Sequence, residues 1–292
     1  MIAKKITALL LGMLTWFSAS ACTTKTGQKP ENSVPVSGDV TITALNVGKA
    51  DALVVQTQNT VTVIDTGEKG DGKKIEKFLE KQGIEAIDTL IITHFDKDHV
   101  GGAARLVKRM KIHTIYVPDY ASESDVYTKF IEKVQENGNA LTVLPAKGKL
   151  EWLADDAAMT LYASEENSYG QNEENDFSLA LYMQHGENTF LFSGDAENKR
   201  MQEIIGLQLG NVDFLKYPYH GNYLALSEQF LDACQPKVSI VCCSEKEYAD
   251  PETVAMLEKR GVDAYYTCNG VVTVLSDGKT LHCSQSAESP IR

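Results

Sequence analysis

Four side chains able to bind a metal fall within six positions in Thr93-His94-Phe95-Asp96-Lys97-Asp98-His99-Val100-Gly101-Gly102. Imidazole and carboxylate are donors suited to Zn²⁺, Mn²⁺ or Fe. Alternate spacing lets His94 and Asp96 point to one metal while Asp98 and His99 point to a neighbour. Glycines directly after His99 let the backbone approach such a centre closely. The chain has six histidines, and two of them meeting in one short loop favours a ligand cluster over surface turn residues. A pair of divalent ions lowers the pKa of water towards neutrality and stabilises both the attacking and the developing negative oxygen, so the chemistry indicated is hydrolysis.

A loop of this kind needs rigid elements on both sides. Thr89–Thr93 reads as a buried strand and Val100–Met110 as a helix, and the cluster lies between them. Upstream, Val40–Asn46, Ala52–Gln56 and Val61–Asp65 are short runs rich in Val, Ile and Thr, the pattern of strands. Lys73–Gln82 has helical periodicity and stops at Gly83; Thr114–Val117 is a strand, and Asp125–Glu136 is a helix ended by Asn137-Gly138. A second strand-rich block follows in Leu141–Leu144, Met159–Ala163, Ser178–Gln184 and Thr189–Ser193. Next come a helix at Ala196–Ile205, a strand at Val212–Lys216 and a helix at Ala225–Ala233. The tail reads as strand Val238–Cys242, helix Pro251–Arg260, and strands near Ala264–Thr267 and Val271–Leu275. No internal repeat is visible. Two β-rich halves that each carry helices suggest two sheets packed face to face with helices outside, an α/β architecture.

The cluster resembles the H-x-[HD]-x-D-H signature of the metallo-β-lactamase superfamily, and most closely the Asp variant found in the extracytoplasmic hydrolase domain of ComEC-type competence (DNA-uptake) proteins and their standalone relatives. Other segments are similar to that family in the same order. Leu45-Asn46-Val47-Gly48-Lys49-Ala50-Asp51 resembles its L-D-V-G-Q-G-D, and Val63-Ile64-Asp65-Thr66-Gly67 its I-D-x-G turn. Asn175-Asp176-Phe177-Ser178-Leu179 resembles N-N-x-S-L, Phe192-Ser193-Gly194-Asp195 its T-G-D, and Lys216-Tyr217-Pro218-Tyr219-His220-Gly221-Asn222 its K-V-x-H-H-G-S. The likeness covers roughly residues 40–283.

The resemblance implies an αββα sandwich of two mixed sheets flanked by helices, and a metal-dependent hydrolase holding two divalent ions, Zn²⁺ or Mn²⁺. The oxygen of Asp96 tilts the ligand set towards Mn²⁺. It implies His94, Asp96, Asp98, His99, Asp195 and His220 as metal ligands, with Asp98 and Tyr219 in catalytic roles. Asp195 could otherwise serve as the N-cap of the following helix. Asp51 and Asp65 would orient the ligand loop through hydrogen bonds. Asn175 and Asp176 occupy the place of a further family motif, and Asn222, with Tyr219, is a candidate for leaving-group or phosphate contacts.

The departures are specific. Asn46 stands for the family's Asp, and Tyr219 for the first His of its His-His pair, so an imidazole becomes a phenol. Tyr248-Ala249-Asp250-Pro251 stands where those relatives have Tyr-Gly-His-Pro. Asp250 is a candidate oxygen ligand, and Asp followed by Pro and Glu252 is also an ordinary helix start, the reading favoured here. His113, His185 and His282 read as structural.

The expected reaction is phosphodiester hydrolysis by a metal-activated hydroxide, on extracellular DNA or nucleotides. Choline-phosphate or teichoic-acid units are the alternative substrate class, and a non-catalytic, metal-binding surface lipoprotein is the alternative of another kind. Work in DNA uptake would require a separate channel as partner. Lys97, Lys108, Arg109 and Lys111, near the metal loop, offer a basic groove, although a solvated helix face is the simpler reading.

Residues 1–21 read as a signal peptide: Lys4 and Lys5, an apolar stretch from Ile6 to Phe17, then Ser18-Ala19-Ser20-Ala21 before Cys22. The small residues before Cys22 resemble a lipobox, which implies a lipidated Cys22 and a protein held on the outer face of the cell membrane. Plain secretion is the alternative. Residues 22–38 carry the lipid and a polar, Pro-, Gly- and Ser-containing tether, and residues 39–292 form the hydrolase domain. Removing residues 1–21 takes away Lys4 and Lys5 and no acid, so the net charge goes from −12 to −14. That balance argues against a protein that coats nucleic acid, since sequence-independent affinity for phosphates comes from Lys and Arg. Cys234, Cys242, Cys243, Cys268 and Cys283 remain, an odd number without C-x-x-C spacing. They read as buried structural thiols with no chemistry assigned.

Overall fold

The computed structural model describes residues 38–170 and 174–287. The expected signal peptide, Cys22 and the tether up to residue 37 lie outside the described residues. The first half builds strands β1 (Val40–Ala44), β2 (Leu53–Gln56), β3 (Val61–Ile64), β4 (Ala86–Ile91), β5 (Lys111–Pro118) and β6 (Ala140–Leu144). Between them lie helices α1 (Gly72–Lys81), α2 (Lys97–Val100), α3 (Ala103–Arg109) and α4 (Asp125–Asn137). The second half adds β7 (Lys149–Ala154), β8 (Ala157–Tyr162), β9 (Ala180–His185), β10 (Asn188–Phe192), β11 (Phe214–Lys216), β12 (Val238–Val241) and β13 (Asp263–Tyr266). Helices α5 (Asn198–Gly206), α6 (Ser227–Cys234) and α7 (Pro251–Lys259) cross between the later strands, and β14 (Val271–Ser276) and β15 (Leu281–Ser286) close the chain.

The strands form two mixed sheets, one ordered β15-β14-β1-β2-β3-β4-β5-β6 and the other β13-β12-β11-β10-β9-β8-β7. The returning hairpin β14–β15 therefore extends the first sheet through β1, with Ile42 opposite Val274. The period-2 pleat sends alternate side chains to opposite faces. Leu53 and Val55 of β2 join Phe190, Phe192 and Phe214 in the core between the sheets. Val54 points the other way and packs with Phe78, Leu106 and Phe130 under α1, α3 and α4. A third core, around Met201, Phe230 and Leu257, seals α5, α6 and α7 onto the second sheet. The result is the helix–sheet–sheet–helix sandwich expected from the sequence. Among the described residues, no helix is long and apolar enough to cross a membrane.

Two differences bear on the site. The helix expected over Val100–Met110 is two helices, α2 and α3, interrupted at Gly101-Gly102. A Cβ at Gly102 would lie 2.3 Å from the Thr66 carbonyl oxygen, and one at Gly101 2.2 Å from that of Lys97. The chain is thus pressed against the Asp65–Gly67 turn, and a side chain at Gly102 does not fit there. Edge strands β7 and β15 were not anticipated; their residues alternate between exposed and half-buried, which leaves little apolar signal.

Candidate metal centre

Parallel pairing runs β3‖β4‖β5 in one sheet and β10‖β11‖β12‖β13 in the other. Their carboxyl ends are where an open α/β sheet places its ligands. Asp65 follows β3, the His94–His99 loop follows β4, Asp195 follows β10, His220 follows β11 and Cys242 follows β12. The centre lies on the seam between the two halves.

The imidazoles are held from behind. Asp65, fully buried, accepts hydrogen bonds from the Thr93 backbone N (2.8 Å), Thr93 Oγ1 (2.7 Å) and His99 Nδ1 (2.8 Å). Thr93 spends its one hydroxyl proton on Asp65, so it accepts from His94 Nδ1 at 3.1 Å. His220 Nδ1 donates to the Cys242 carbonyl at 3.0 Å. Each ring has its Nδ1 engaged outward, which fixes the tautomer and leaves Nε2 facing the centre.

There the carboxylates gather. His99 Nε2 is 3.2 Å and His220 Nε2 2.8 Å from Asp195 Oδ2, and His220 Nε2 is 3.2 Å from Asp98 Oδ2. His94 packs against His99 with tilted rings whose centroids are 4.0 Å apart, and its Nε2 lies 3.8 Å from Asp96 Oδ2. Asp51, His99, Asp195 and His220 offer ligand atoms all within 4.8 Å of one another. Of the six ligand positions read from the sequence, His99, Asp195 and His220 share this cluster with Asp51, Asp98 joins it at His220, and His94 and Asp96 lie alongside.

Whether these residues suit a cation can be judged from their unpaired atoms. His94 Nε2, His99 Nε2 and Asp51 Oδ1 are buried without any hydrogen-bond partner. Such orphans are costly unless something absent completes them. A divalent ion fits, because imidazole nitrogens and carboxylate oxygens can both donate to it.

Electrostatics point the same way. Burial and the neighbouring His99 lower His94 to about 3, keeping it a neutral donor. Burial would lower His220, but Asp195 beside it and the Asp98 hydrogen bond lift it to about 9. Burial opposes ionisation of Asp195 as well, yet His220, His99 and Lys216 hold it well below the carboxylate range. Asp96, half-exposed at the rim, is raised to about 6 by burial and by its acidic neighbours.

These directions make the metal-free protein pH-dependent. The raised pKa of His220 contributes stability that is whole below 6.5 and is lost as pH climbs through about 9. A cation must displace that proton, so its affinity rises over the same interval. Melting scans in chelator should show Tm falling from pH 6.5 to 9, and scans with added Mn²⁺ should show a growing metal-induced increment. A chelated Tm that climbs across this window contradicts the assignment.

Replacing Asp65 tests the support behind the rings. Asp65→Asn removes the acceptor for His99 Nδ1 and should weaken metal binding by ~10–100-fold, the usual effect of losing a partner behind a ligand. Competition with a fluorescent chelator measures this, and circular dichroism should show the fold retained.

Other residues singled out by sequence lie around this centre. Tyr219 and His220 both adopt left-handed backbone, with φ of 48° and 52°. Gly221 follows them so closely packed that a Cβ would meet that of Ala249 at 2.5 Å. Burial and the nearby Glu197 raise the Tyr219 phenol, which hydrogen-bonds Asn222. Asn175 donates to Glu197 at 2.8 Å. Asp176 accepts from the Arg200 backbone N at 2.9 Å, tying β9's approach to the start of α5. Asp250 occupies the N-cap position of α7 without a side-chain capping bond. Its Oδ2 instead accepts from Tyr223 N at 2.8 Å, bracing the loop that carries His220. Likewise Asp195 is not the cap of α5, which is Glu197.

Lys216 ends β11 and opens the motif that carries His220. It is buried at 1 % exposure, and its ammonium contacts Asp51, Asp195 Oδ1 at 3.1 Å and the Gly194 carbonyl at 2.9 Å. A lysine ending the apolar run Phe214-Leu215-Lys216 was the available signal, since a cation that strand geometry buries must find anions. Ser178, whose Oγ accepts from Asp195 N at 3.1 Å, also went unassigned.

Residues 45–150 match the Metallo-beta-lactamase superfamily. ComE operon protein 3 of Bacillus subtilis (strain 168) is 26% identical over 226 residues, which cover 70% of this chain and 28% of that protein. Competence protein ComA of Neisseria gonorrhoeae is 24% identical over 218 residues, covering 73% of this chain and 28% of its own length. This chain thus spans about a quarter of these curated relatives. Among solved structures, the CmlA beta-hydroxylase E377D mutant superposes with a TM-score of 0.53 at 15% identity, over 86% of this chain and 55% of that one, a likeness of fold.

Proposed function

From a chain that carries a metallo-β-lactamase domain related to competence proteins, we propose a metal-dependent phosphodiesterase that cleaves extracellular DNA or nucleotides. The observation that carries the hydrolytic part is the meeting of His99 and His220 on Asp195, with Asp98 at His220 and Asp96 at His94, while all three rings have Nδ1 engaged behind them. The substrate class is supported by the competence proteins among its relatives. His94, Asp96, Asp98, His99, Asp195 and His220 would hold two divalent ions, Mn²⁺ or Zn²⁺. Bound there, such ions supply Lewis acidity that activates water and offsets negative charge on phosphate oxygens.

The chain's own groups divide the remaining work. Asp98, at the half-buried rim, is held ionised in the metal-free protein: burial opposes this, but the His220 hydrogen bond and the His99 and His220 charges prevail. Its carboxylate can orient a water molecule beside the ions. Tyr219, with its phenol kept protonated by burial, can donate to a phosphate oxygen or the departing alkoxide, while Asn222 fixes the phenol's direction. In this reading Cys22 carries the lipid that holds the domain on the outer face of the membrane, and a separate channel is its partner in DNA uptake.

The deciding assay is cleavage of end-labelled single-stranded and duplex DNA by the purified protein with Mn²⁺ or Zn²⁺, beside Asp98→Ala. Product that requires both metal and Asp98 is expected. Bound metal without DNA cleavage overturns the substrate and directs the assay to choline-phosphate and teichoic-acid esters. A protein that takes up no metal overturns the hydrolase itself.

A further inference from the structure

Thiols read from the sequence as inert include two that the second sheet sets side by side. Strands β12 and β13 pair in parallel with a constant offset, Val238 opposite Asp263 and Val241 opposite Tyr266. Carried two residues past the strand ends, that register puts Cys243 opposite Cys268. Their sulfurs are 3.6 Å apart. The segments are also joined by hydrogen bonding, with Thr267 Oγ1 accepting from Cys243 N at 3.0 Å. Neighbouring strands lie ~4.8 Å apart, within the Cα range that a disulfide spans. To bond, the two sulfurs would close from 3.6 Å to the ~2.05 Å of a disulfide.

The neighbouring thiol is not an equivalent candidate. Successive residues leaving a strand point to opposite faces. Cys242 packs in the core between the sheets and hydrogen-bonds Asp51, whereas Cys243 packs on the helix side. Cys234 is buried in α6, and Cys283 lies on β15 of the other sheet.

We propose that Cys243 and Cys268 form a redox-active pair that closes to a disulfide and clamps the backbone supporting His220. Cys268, half-buried, is the thiol that an oxidant reaches; Cys243 is buried. The oxidant is a disulfide, either oxidised glutathione or the active-site disulfide of a thiol oxidase. The Cys268 thiolate attacks it, forming a mixed disulfide and expelling one thiolate. Cys243 then gives its proton to solvent and attacks Cys268 Sγ, expelling the second thiolate. The protein loses two protons and two electrons, and the oxidant leaves as two thiols.

The clamp acts at a sensitive place. Cys243 adjoins Cys242, whose carbonyl holds His220 Nδ1 and whose thiol touches Asp51. Ala249, against which Gly221 packs, belongs to the same turn leading to α7. A covalent tie between this turn and the Thr267–Asn269 helical turn would fix the wall behind the last imidazole without entering the centre.

The test uses the purified full chain, reduced and then equilibrated with oxidised glutathione. Thiol counting in denaturant should show two thiols lost. Tryptic peptides 238–246 and 261–279 should be joined, with fragmentation placing the link on Cys243. The oxidised protein should melt about 5–10 °C higher than the reduced form, as expected for closing a loop of this size. Cys268→Ser should abolish both the link and the increment while keeping the reduced protein's Tm. A folded protein that keeps both thiols under oxidised glutathione, or a link through Cys242, overturns the proposal.

Discussion

Asp195→Ala should abolish metal-dependent hydrolysis, lowering kcat/KM by more than about 10³-fold. That exceeds the ~10–100-fold typical of losing a residue behind a ligand. Asp195 Oδ2 lies within 3.2 Å of both His99 and His220, while Oδ1 takes the Lys216 ammonium. Removing it takes away the carboxylate that lies within 3.2 Å of both imidazoles. Metal content measured by mass spectrometry should fall with activity, and added Mn²⁺ should restore little. Tyr219→Phe is the contrast: metal content should remain and kcat fall, since only a proton donor is lost. Full activity in Asp195→Ala would show that the ligands are grouped otherwise.

The second large effect is on stability. Lys216→Met should destabilise the metal-free protein by about 3–5 kcal/mol, the cost of leaving buried charge uncompensated. Burial would discharge this lysine, but Asp51 and Asp195 hold its pKa above the usual value. Without it, two buried carboxylates face each other. Tm should fall by roughly 6–20 °C for a domain of this size. Adding Asp51→Asn should recover a large part of the loss, because the orphaned charge goes too. A double-mutant cycle on Lys216 and Asp51 reads the coupling directly. A cycle with no coupling energy would mean that the contact is incidental.

Much of this molecule is legible in its residues, for physical reasons that differ from place to place. The loop from His94 to His99 stands out because ligand-forming side chains rarely crowd six positions after a buried strand. Asp195 and His220 are legible through their place in an ordered set of motifs. Lys216 escaped because the ion pairs that make its burial tolerable join it to Asp51, far away in sequence. Asp250 escaped for a related reason: its position is that of a cap, but its carboxylate serves Tyr223 across a loop. The break at Gly101-Gly102 was hidden because helical periodicity continues through it. The close approach that requires glycine there is to Thr66, on a turn of another strand. Pairwise partners distant along the chain are what local pattern does not encode.

The seam location of the centre has a consequence for where the protein acquires its ion. His99 comes from the first sheet's half and His220 from the second, and neither half alone assembles the donors. Contacts this far apart along a chain require loop-closure entropy to be spent before they are rewarded. Ion binding therefore waits on the packing of the two halves. Affinity alone ranks copper and zinc above manganese whatever the site, so availability decides among them. Were the chain exported as proposed above, its halves would meet outside the cell, and the metal taken up there would follow the composition of the outside medium.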